Sequence, residues 1–183
     1  MALNYRDQLT ELHCQRVLGL AETMGKICCS SKHDLELLMM AAAFHDIGKI
    51  GTPDRILLKT SPLSDSEWLQ MQQHADIGEK IMLSLGLKNA ILVGKVIRHH
   101  HEHYDGSGYP DGLLGEDIPL PSRIITIVDS YDAMAEKRAY HQARSHEEIM
   151  EILHQETGKK HDPCLMSDFC RCIESSPLRK IYA

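Results

Sequence analysis

The stretch Ala41–Lys49, which reads AAAFHDIGK, constrains this chain more than any other. Its alanine-rich first half favours a helix that packs on several sides. If that helix continues, His45, Asp46 and Lys49 share one rim, because they are three and four residues apart. A buried histidine–aspartate pair is costly unless it is compensated, and a metal ion is the simplest compensation. For an isolated pair, a hydrogen-bonded core histidine is the simpler alternative.

The rest of the chain also has the pattern of helices. Aromatic residues make up only 5% of the sequence, and strand signals are weak throughout. Pro53 and Pro62 exclude a regular helix from residues 51–63. We predict an all-α bundle of about seven to eight helices, with a long loop over residues 105–121. The predicted helices cover residues 4–27, 34–48, 64–73, 75–85, 89–101, 122–136, 145–156 and 162–175.

Several helix ends carry capping signals. Ser64-x-x-Glu67 and Ser145-x-x-Glu148 match the capping box. Asp162 followed by proline predicts an N-cap with proline in the first helical position. Asp34 is the predicted cap of the second helix.

Length and composition exclude several classes of protein. The 183 residues predict one domain, 1–183, with no separate sensor domain. No signal-peptide pattern or membrane-spanning run is present, and the formal net charge of −6 argues against binding a nucleic-acid polymer. The six cysteines form no C-x-x-C pair, so we expect reduced thiols in a cytoplasmic protein.

The twelve histidines are the unusual feature, because they cluster with carboxylates. The densest cluster is His99–His103, where helical spacing allows only some rings to face one site. Asp129 ends an apolar run and is predicted to be buried, where it needs a cation partner. His13 lies on the inward side of the first helix, and His74 lies at a helix start. A single histidine of this kind is more often a hydrogen-bonded core or surface residue than a metal ligand. Together with the His45–Asp46 pair, these residues supply ligands for two metals in a helical core.

These motifs give the chain a clear resemblance to the HD-GYP family of metal-dependent phosphohydrolases. The resemblance extends over about residues 11–173. It is carried by His13-x-x-Arg16-Val17, by His45-Asp46-Ile47-Gly48-Lys49-Ile50-Gly51-x-Pro53-Asp54, by His74-x-x-x-Gly78, by His100-His101-Glu102-x-Tyr104-Asp105-Gly106-Ser107-Gly108-Tyr109-Pro110, by Ile118-Pro119-x-x-x-Arg123-Ile124 and by Asp129-x-x-Asp132-Ala133.

The resemblance implies a set of metal ligands. Asp46 would bridge two divalent ions, iron or manganese, while His99 stays outside the set. Some members of the family hold a third ion with a glutamate at the position of Leu9, so we expect only two here. The implied ligands are His13, His45, Asp46, His74, His100, His101 and Asp129.

The same resemblance implies a cyclic di-GMP phosphodiesterase that yields pGpG, GMP or both through a metal-bridging hydroxide. Asp46 and Lys49 would be catalytic, and Tyr109, Arg138 and His141 would contact the substrate. His141 and His103 stand where family members usually have basic residues. Diguanylate cyclases and sensor or receiver proteins are the implied partners. Two alternatives stay open: a hydrolase of another cyclic dinucleotide or nucleotide, and a weakly active module that binds ligand or partner.

Overall fold

A computed structural model describes residues 8–136 and 143–182, with side chains given for 12–136 and 143–179. In these ranges there is no β-strand, and only two isolated bridges occur, so the all-α prediction is confirmed. The described residues form eight helices of two turns or more and one further single-turn helix. The helices are α1 (Gln8–Cys28), α2 (Lys32–Phe44), α3 (Asp54–Leu57), α4 (Asp65–Gln72), α5 (His74–Ser84), α6 (Ala90–Arg98), α7 (Leu120–Ala135), α8 (His146–Gln155) and α9 (Pro163–Ser175). Short 3-10 helices cover Ile47–Gly51, Gly115–Asp117 and Pro177–Tyr182.

Helix α7 is the centre of the bundle. Its residues Ile124, Ile125, Ile127 and Val128 are fully buried, as expected of a helix that is packed on all sides. Helix α1 packs against α2 and α7, and α5 packs against α6. The elements that carry the clustered histidines and carboxylates therefore surround one core.

The capping signals are mostly confirmed. Ser64 and Ser145 each form the complete capping box, and Asp162 caps α9 through the N–H groups of the first turn. Helix α2 differs from the prediction, because Ser31 is its cap: the Asp34 N–H donates to the Ser31 hydroxyl at 3.1 Å. The Ser31 hydroxyl comes earlier in the chain than Asp34. It already accepts the Asp34 N–H, one of the first-turn donors that have no partner within the helix.

Two helices end several residues earlier in the chain than predicted. Helix α2 ends at Phe44 and α6 ends at Arg98, so His45–Lys49 and His99–His101 do not continue those helices. The backbone leaves helical geometry at Asp46 (φ −95°, ψ 4°). The predicted irregular segment 51–63 contains α3, which starts directly after Pro53, a residue compatible with a helix start.

The close packing of Gly48 explains the early end of α2. A Cβ atom at Gly48 would lie 1.8 Å from the carbonyl oxygen of His74. The 3-10 helix Ile47–Gly51 therefore lies directly on the first turn of α5, backbone against backbone. This contact brings the residues after α2 next to the first residue of α5.

Candidate metal centre

Five chain segments converge on one cluster of imidazoles and carboxylates. His13 comes from α1, the His45–Asp46 pair follows α2, and His74 opens α5. His100 and His101 lie in the turn after α6, and Asp129 comes from α7. The imidazoles are buried or nearly so, while the Asp129 side chain, predicted to be buried, is 18% exposed.

Asp46 lies between two groups of nitrogen atoms. Its Oδ2 is 3.6 Å from Nε2 of His45 and 4.0 Å from Nε2 of His13. Its Oδ1 is 3.6 Å from Nε2 of His74. The two oxygens of one carboxylate therefore face different groups of imidazoles.

Each group is tight enough to share an ion. On one side, His13 Nε2 is 3.0 Å from Asp129 Oδ1. On the other side, His74 Nε2 is 3.2 Å from His101 Nε2 and 3.5 Å from His100 Nε2. Three donor atoms in each group, from His13, His45 and Asp46 and from His74, His100 and His101, lie within 4.8 Å of one another.

Helix C-termini orient three of the rings. Nδ1 of His45 contacts the Ala42 carbonyl at 2.8 Å, Nδ1 of His74 contacts that of Met71 at 2.7 Å, and Nδ1 of His100 contacts that of Ile97 at 2.6 Å. These carbonyls belong to the last turns of α2, α4 and α6, where the helix supplies no regular N–H partner; that of Met71 also accepts the backbone N–H of Gln73. When the Nδ1–H of a neutral imidazole donates to a carbonyl, Nε2 carries no proton. Its lone pair is then directed into the centre.

The resulting lone pairs fit a cation. Nε2 of His45 is buried and has no hydrogen-bond partner among the described residues. Nε2 atoms of His74 and His100 face each other as acceptors, which is unfavourable unless a positive charge lies between them. Imidazole and carboxylate together suit divalent iron, manganese or zinc.

His13 is oriented by a carboxylate. Its Nδ1 donates to Asp132 Oδ2 at 2.6 Å. Arg16 holds the same carboxylate through Nε at 2.7 Å and Nη2 at 2.9 Å, and it also pairs with Glu136 at 2.9 Å. Asp132 was quoted from the sequence only as part of a motif; its spacing of three residues from Asp129 places both on one face of α7.

Lys49 and Tyr109 border the centre. Lys49 Nζ donates to Asp46 Oδ2 at 2.6 Å, and its side chain is 23% exposed. The Tyr109 ring lies 4.9 Å from the His101 ring at an angle of 31°, and it meets Trp68 edge-on at 6.3 Å. Trp68, the only tryptophan, was missed in the sequence, because a single aromatic on an amphipathic helix gives no local signal.

Comparison with known proteins identifies the family. The sequence profile of the family described as "HD domain" matches residues 1–165. This chain belongs to the HD domain family. The resemblance drawn from its motifs is thereby confirmed.

Curated relatives of this HD domain are longer proteins. It is 37% identical over 175 residues to "Cyclic di-GMP phosphodiesterase response regulator RpfG" of Xanthomonas campestris, covering 95% of this chain and 44% of the relative. It is 36% identical to "Cyclic di-GMP phosphodiesterase" of Thermotoga maritima, covering 93% of this chain and 46% of that protein. A third relative, "3'3'-cGAMP-specific phosphodiesterase 2" of Vibrio cholerae, is 34% identical, with 90% of this chain and 32% of the relative covered. The chain thus spans less than half the length of these relatives.

A solved structure confirms the fold. The crystal structure of a cyclic GMP-AMP specific phosphodiesterase from Vibrio cholerae matches with a TM-score of 0.69 at 21% identity. The match covers 91% of this HD domain and 44% of the other chain. No helix in residues 8–136 or 143–182 combines the length and apolar character needed to cross a bilayer.

Electrostatics favour neutral imidazoles in the HD domain centre. Burial, together with the charges of His74 and His45, lowers the pKa of His100 to about 3. Burial likewise lowers the pKa of His101 well below its usual value. Neutral rings offer the lone pairs that a metal requires.

Neighbouring carboxylates raise the pKa of His13, in contrast to those of His100 and His101. Burial lowers its pKa, but hydrogen bonds with Asp129 and Asp132 outweigh that effect and raise it to about 9. Burial would raise the pKa of Asp46, but Lys49 and the neighbouring imidazoles hold it well below its usual value. The site therefore places carboxylates beside a histidine whose pKa is raised, His13, and beside the neutral rings of His100 and His101.

Some residues singled out in the sequence lie elsewhere. His99 turns away and contacts Asp111 Oδ2 at 2.8 Å, and His103 contacts the Ser107 hydroxyl at 3.0 Å. Arg138 and His141 lie outside the described residues, and so does the side chain of Leu9.

Proposed function

We propose that this chain is a two-metal phosphodiesterase that hydrolyses cyclic di-GMP. The observation that carries the proposal is the position of Asp46, whose two oxygens face different groups of imidazoles at 3.6 Å. A carboxylate in that position fits a ligand shared by two ions. The names of the curated relatives support the substrate. The proposed ligands are His13, His45, Asp46, His74, His100, His101 and Asp129.

We propose iron or manganese as the two ions, because both accept mixed imidazole and carboxylate ligands. Bound there, such ions supply Lewis acidity, which activates water at neutral pH and offsets phosphate charge. The assignment rests on the donor set, which combines imidazole nitrogens with carboxylate oxygens.

The residues of the chain have separate roles in the proposed reaction. Water adds its oxygen to one phosphorus, the bond from phosphorus to the 3′-oxygen breaks, and that oxygen takes up a proton. Lys49, with Nζ beside Asp46, stabilises charge on the non-bridging oxygens and donates toward the leaving oxygen. Burial and the charges of Asp46 and Asp129 raise the pKa of Tyr109, so its hydroxyl stays neutral and can donate to a phosphate. We retain Arg138 and His141 as further substrate contacts on the sequence resemblance.

We also propose a cytoplasmic location. All six cysteines are free thiols, as is usual in a reducing compartment. Fractionation of the producing cells tests this; a periplasmic pool of the protein would contradict it.

Metal analysis combined with product chromatography tests the function. Protein purified without oxygen is expected to hold about two ions per chain, as a two-metal mechanism requires. It should convert cyclic di-GMP to pGpG or GMP, and a chelator should stop the reaction. Metal-loaded protein that leaves cyclic di-GMP intact would overturn the proposal.

A second candidate substrate is 3′3′-cGAMP. Three relatives from Vibrio cholerae, at 34%, 37% and 34% identity, are named as specific for it. Measuring kcat/KM for both dinucleotides with the same metal-loaded sample decides between them. A higher value for 3′3′-cGAMP would replace cyclic di-GMP as the preferred substrate.

A further inference from the structure

Glu102 is a buried carboxylate that follows the ligand pair but points away from the centre. It is 1% exposed. Its Oε1 accepts the backbone N–H groups of Asp111 at 2.7 Å and Gly112 at 3.1 Å, and its Oε2 accepts that of Leu113 at 3.1 Å. All three donors belong to the loop that contains the Gly-Tyr-Pro motif. The carboxylate therefore closes this loop onto the segment that carries His100 and His101.

The loop also packs on the backbone of Glu102. A Cβ atom at Gly108 would lie 2.5 Å from the Glu102 Cα and 2.2 Å from the His103 nitrogen. The Tyr109 N–H donates to the His101 carbonyl at 3.2 Å. Only glycine permits this approach, and the next residue is thereby placed over the centre.

Tyr109 is the side chain that this arrangement positions. Its ring lies 4.9 Å from that of His101 on one side and 6.3 Å from that of Trp68 on the other. Between residues 98 and 104, the two histidines face the metal centre while Glu102 holds the loop. One short segment thus carries both metal ligands and the support for a substrate contact.

We propose that Glu102 is a positioning residue that holds Tyr109 against His101 and so sets affinity for the substrate rather than for the metal. This inference rests on the proposed function, in which Tyr109 contacts the substrate. A carboxylate that accepts three N–H groups makes charge-assisted bonds. Glutamine has the same shape but presents an NH₂ group to at least one of those donors, which leaves it unsatisfied.

The test compares Glu102→Gln with Glu116→Gln in metal-loaded protein. Glu116 is an exposed carboxylate of the same loop and is the matched control. For Glu102→Gln we expect unchanged metal content, a shifted emission of the single tryptophan Trp68, and a KM raised about tenfold with a smaller change in kcat. The control should match the wild type in all three. Glu102→Asp, which keeps the charge, is measured alongside, and its KM and Trp68 emission should lie between those of Glu102→Gln and of the control. If Glu102→Gln does not fold, the aspartate variant tests whether the carboxylate positions Tyr109.

A double-mutant cycle shows whether Glu102 acts through Tyr109. In a Tyr109→Ala background, Glu102→Gln should raise KM no further. Additive effects, loss of metal from Glu102→Gln, or unchanged Trp68 emission would each overturn the inference. If wild-type protein does not cut cyclic di-GMP, the proposed function fails, while metal content and Trp68 emission still decide the role of Glu102.

Discussion

His13 and Asp132, which are 119 positions apart in the chain, form a hydrogen bond of 2.6 Å that is buried from solvent. The bond occupies Nδ1 of the imidazole and directs Nε2 toward Asp129, 3.0 Å away. Arg16 holds the other side of the Asp132 carboxylate. The direction of His13 is therefore set by residues that do not enter the centre.

Asp132→Asn should weaken metal binding about 10- to 100-fold, as found when carboxylates behind metal-bound histidines are removed. The asparagine amide has one accepting oxygen and no charge, so it cannot keep all three bonds that Asp132 accepts from His13 and Arg16, and the imidazole is held less firmly. Titration with Mn²⁺, followed by calorimetry, measures the change. Asp117→Asn, at an exposed position of the same chain, is the control; equal affinities for the two variants would contradict the prediction.

Asp46→Ala and Lys49→Ala should separate metal binding from turnover. The alanine at position 46 removes the oxygens that face both imidazole groups, so metal and activity are lost together. The alanine at position 49 should leave the metal in place and lower kcat by about 10²- to 10³-fold, as expected when one group that stabilises transition-state charge is removed.

Metal content by mass spectrometry and kcat for cyclic di-GMP give both results on one sample. Lys95→Ala, at an exposed lysine of α6, should behave as the wild type. If Lys49→Ala loses metal, Lys49 supports the centre rather than the reaction.

Metal binding should stabilise the fold, because ligands from five segments are drawn together only in the folded chain. At free Mn²⁺ one hundred times Kd, each bound ion should raise the free energy of unfolding by about 2.7 kcal/mol. For a chain of 183 residues, this corresponds to an increase in Tm of about 5–10 °C per ion. Calorimetric scans with Mn²⁺ and with chelator measure the shift, and His74→Ala should reduce it. Identical Tm values for the wild type under both conditions would argue against a metal site.

Stability should also fall in acid through Glu67. Lys59, at 2.6 Å, and the N–H and hydroxyl of Ser64 lower the pKa of Glu67 to about 2, whereas an unfolded glutamate has a pKa of about 4.3. Because the pKa of Glu67 is lower in the folded state, its ionised carboxylate stabilises the fold above about pH 4.3. This contribution is lost as the pH falls from about 4.3 to about 2. Glu67→Gln should therefore flatten the dependence of the urea midpoint on pH over this interval. Glu116→Gln should leave it as in the wild type; a parallel effect there would rule out a specific role of Glu67.

The sequence allowed the fold class and most helices to be predicted, because apolar periodicity and capping boxes are local signals. The ends of α2 and α6 could not be predicted in this way. Nothing in the residues after Phe44 forbids a helix; the chain turns because Gly48 packs on the backbone of His74, a contact distant in sequence. The same turn exposes the Ala42 carbonyl to which His45 bonds.

The candidate ligands were grouped from the sequence by their motifs, but their supporting residues were not. Asp132 and Glu102 were visible only as motif letters, and Trp68 carried no signal. Their roles depend on contacts between distant segments, such as the one between Trp68 on α4 and Tyr109 in the loop. Spacing along one helix cannot reveal such contacts.

The contact between Gly48 and the His74 carbonyl also fixes a distance. His45 and Asp46 on one side, and His74 on the other, are spaced by this contact between main-chain atoms. A change in the size of a distant core side chain reaches this separation only through the backbone, because the Gly48 contact itself involves no rotamer. The spacing between two ions held here would thus be inherited from the path of the backbone, so mutations in the surrounding hydrophobic core should alter stability long before they alter the geometry of the centre.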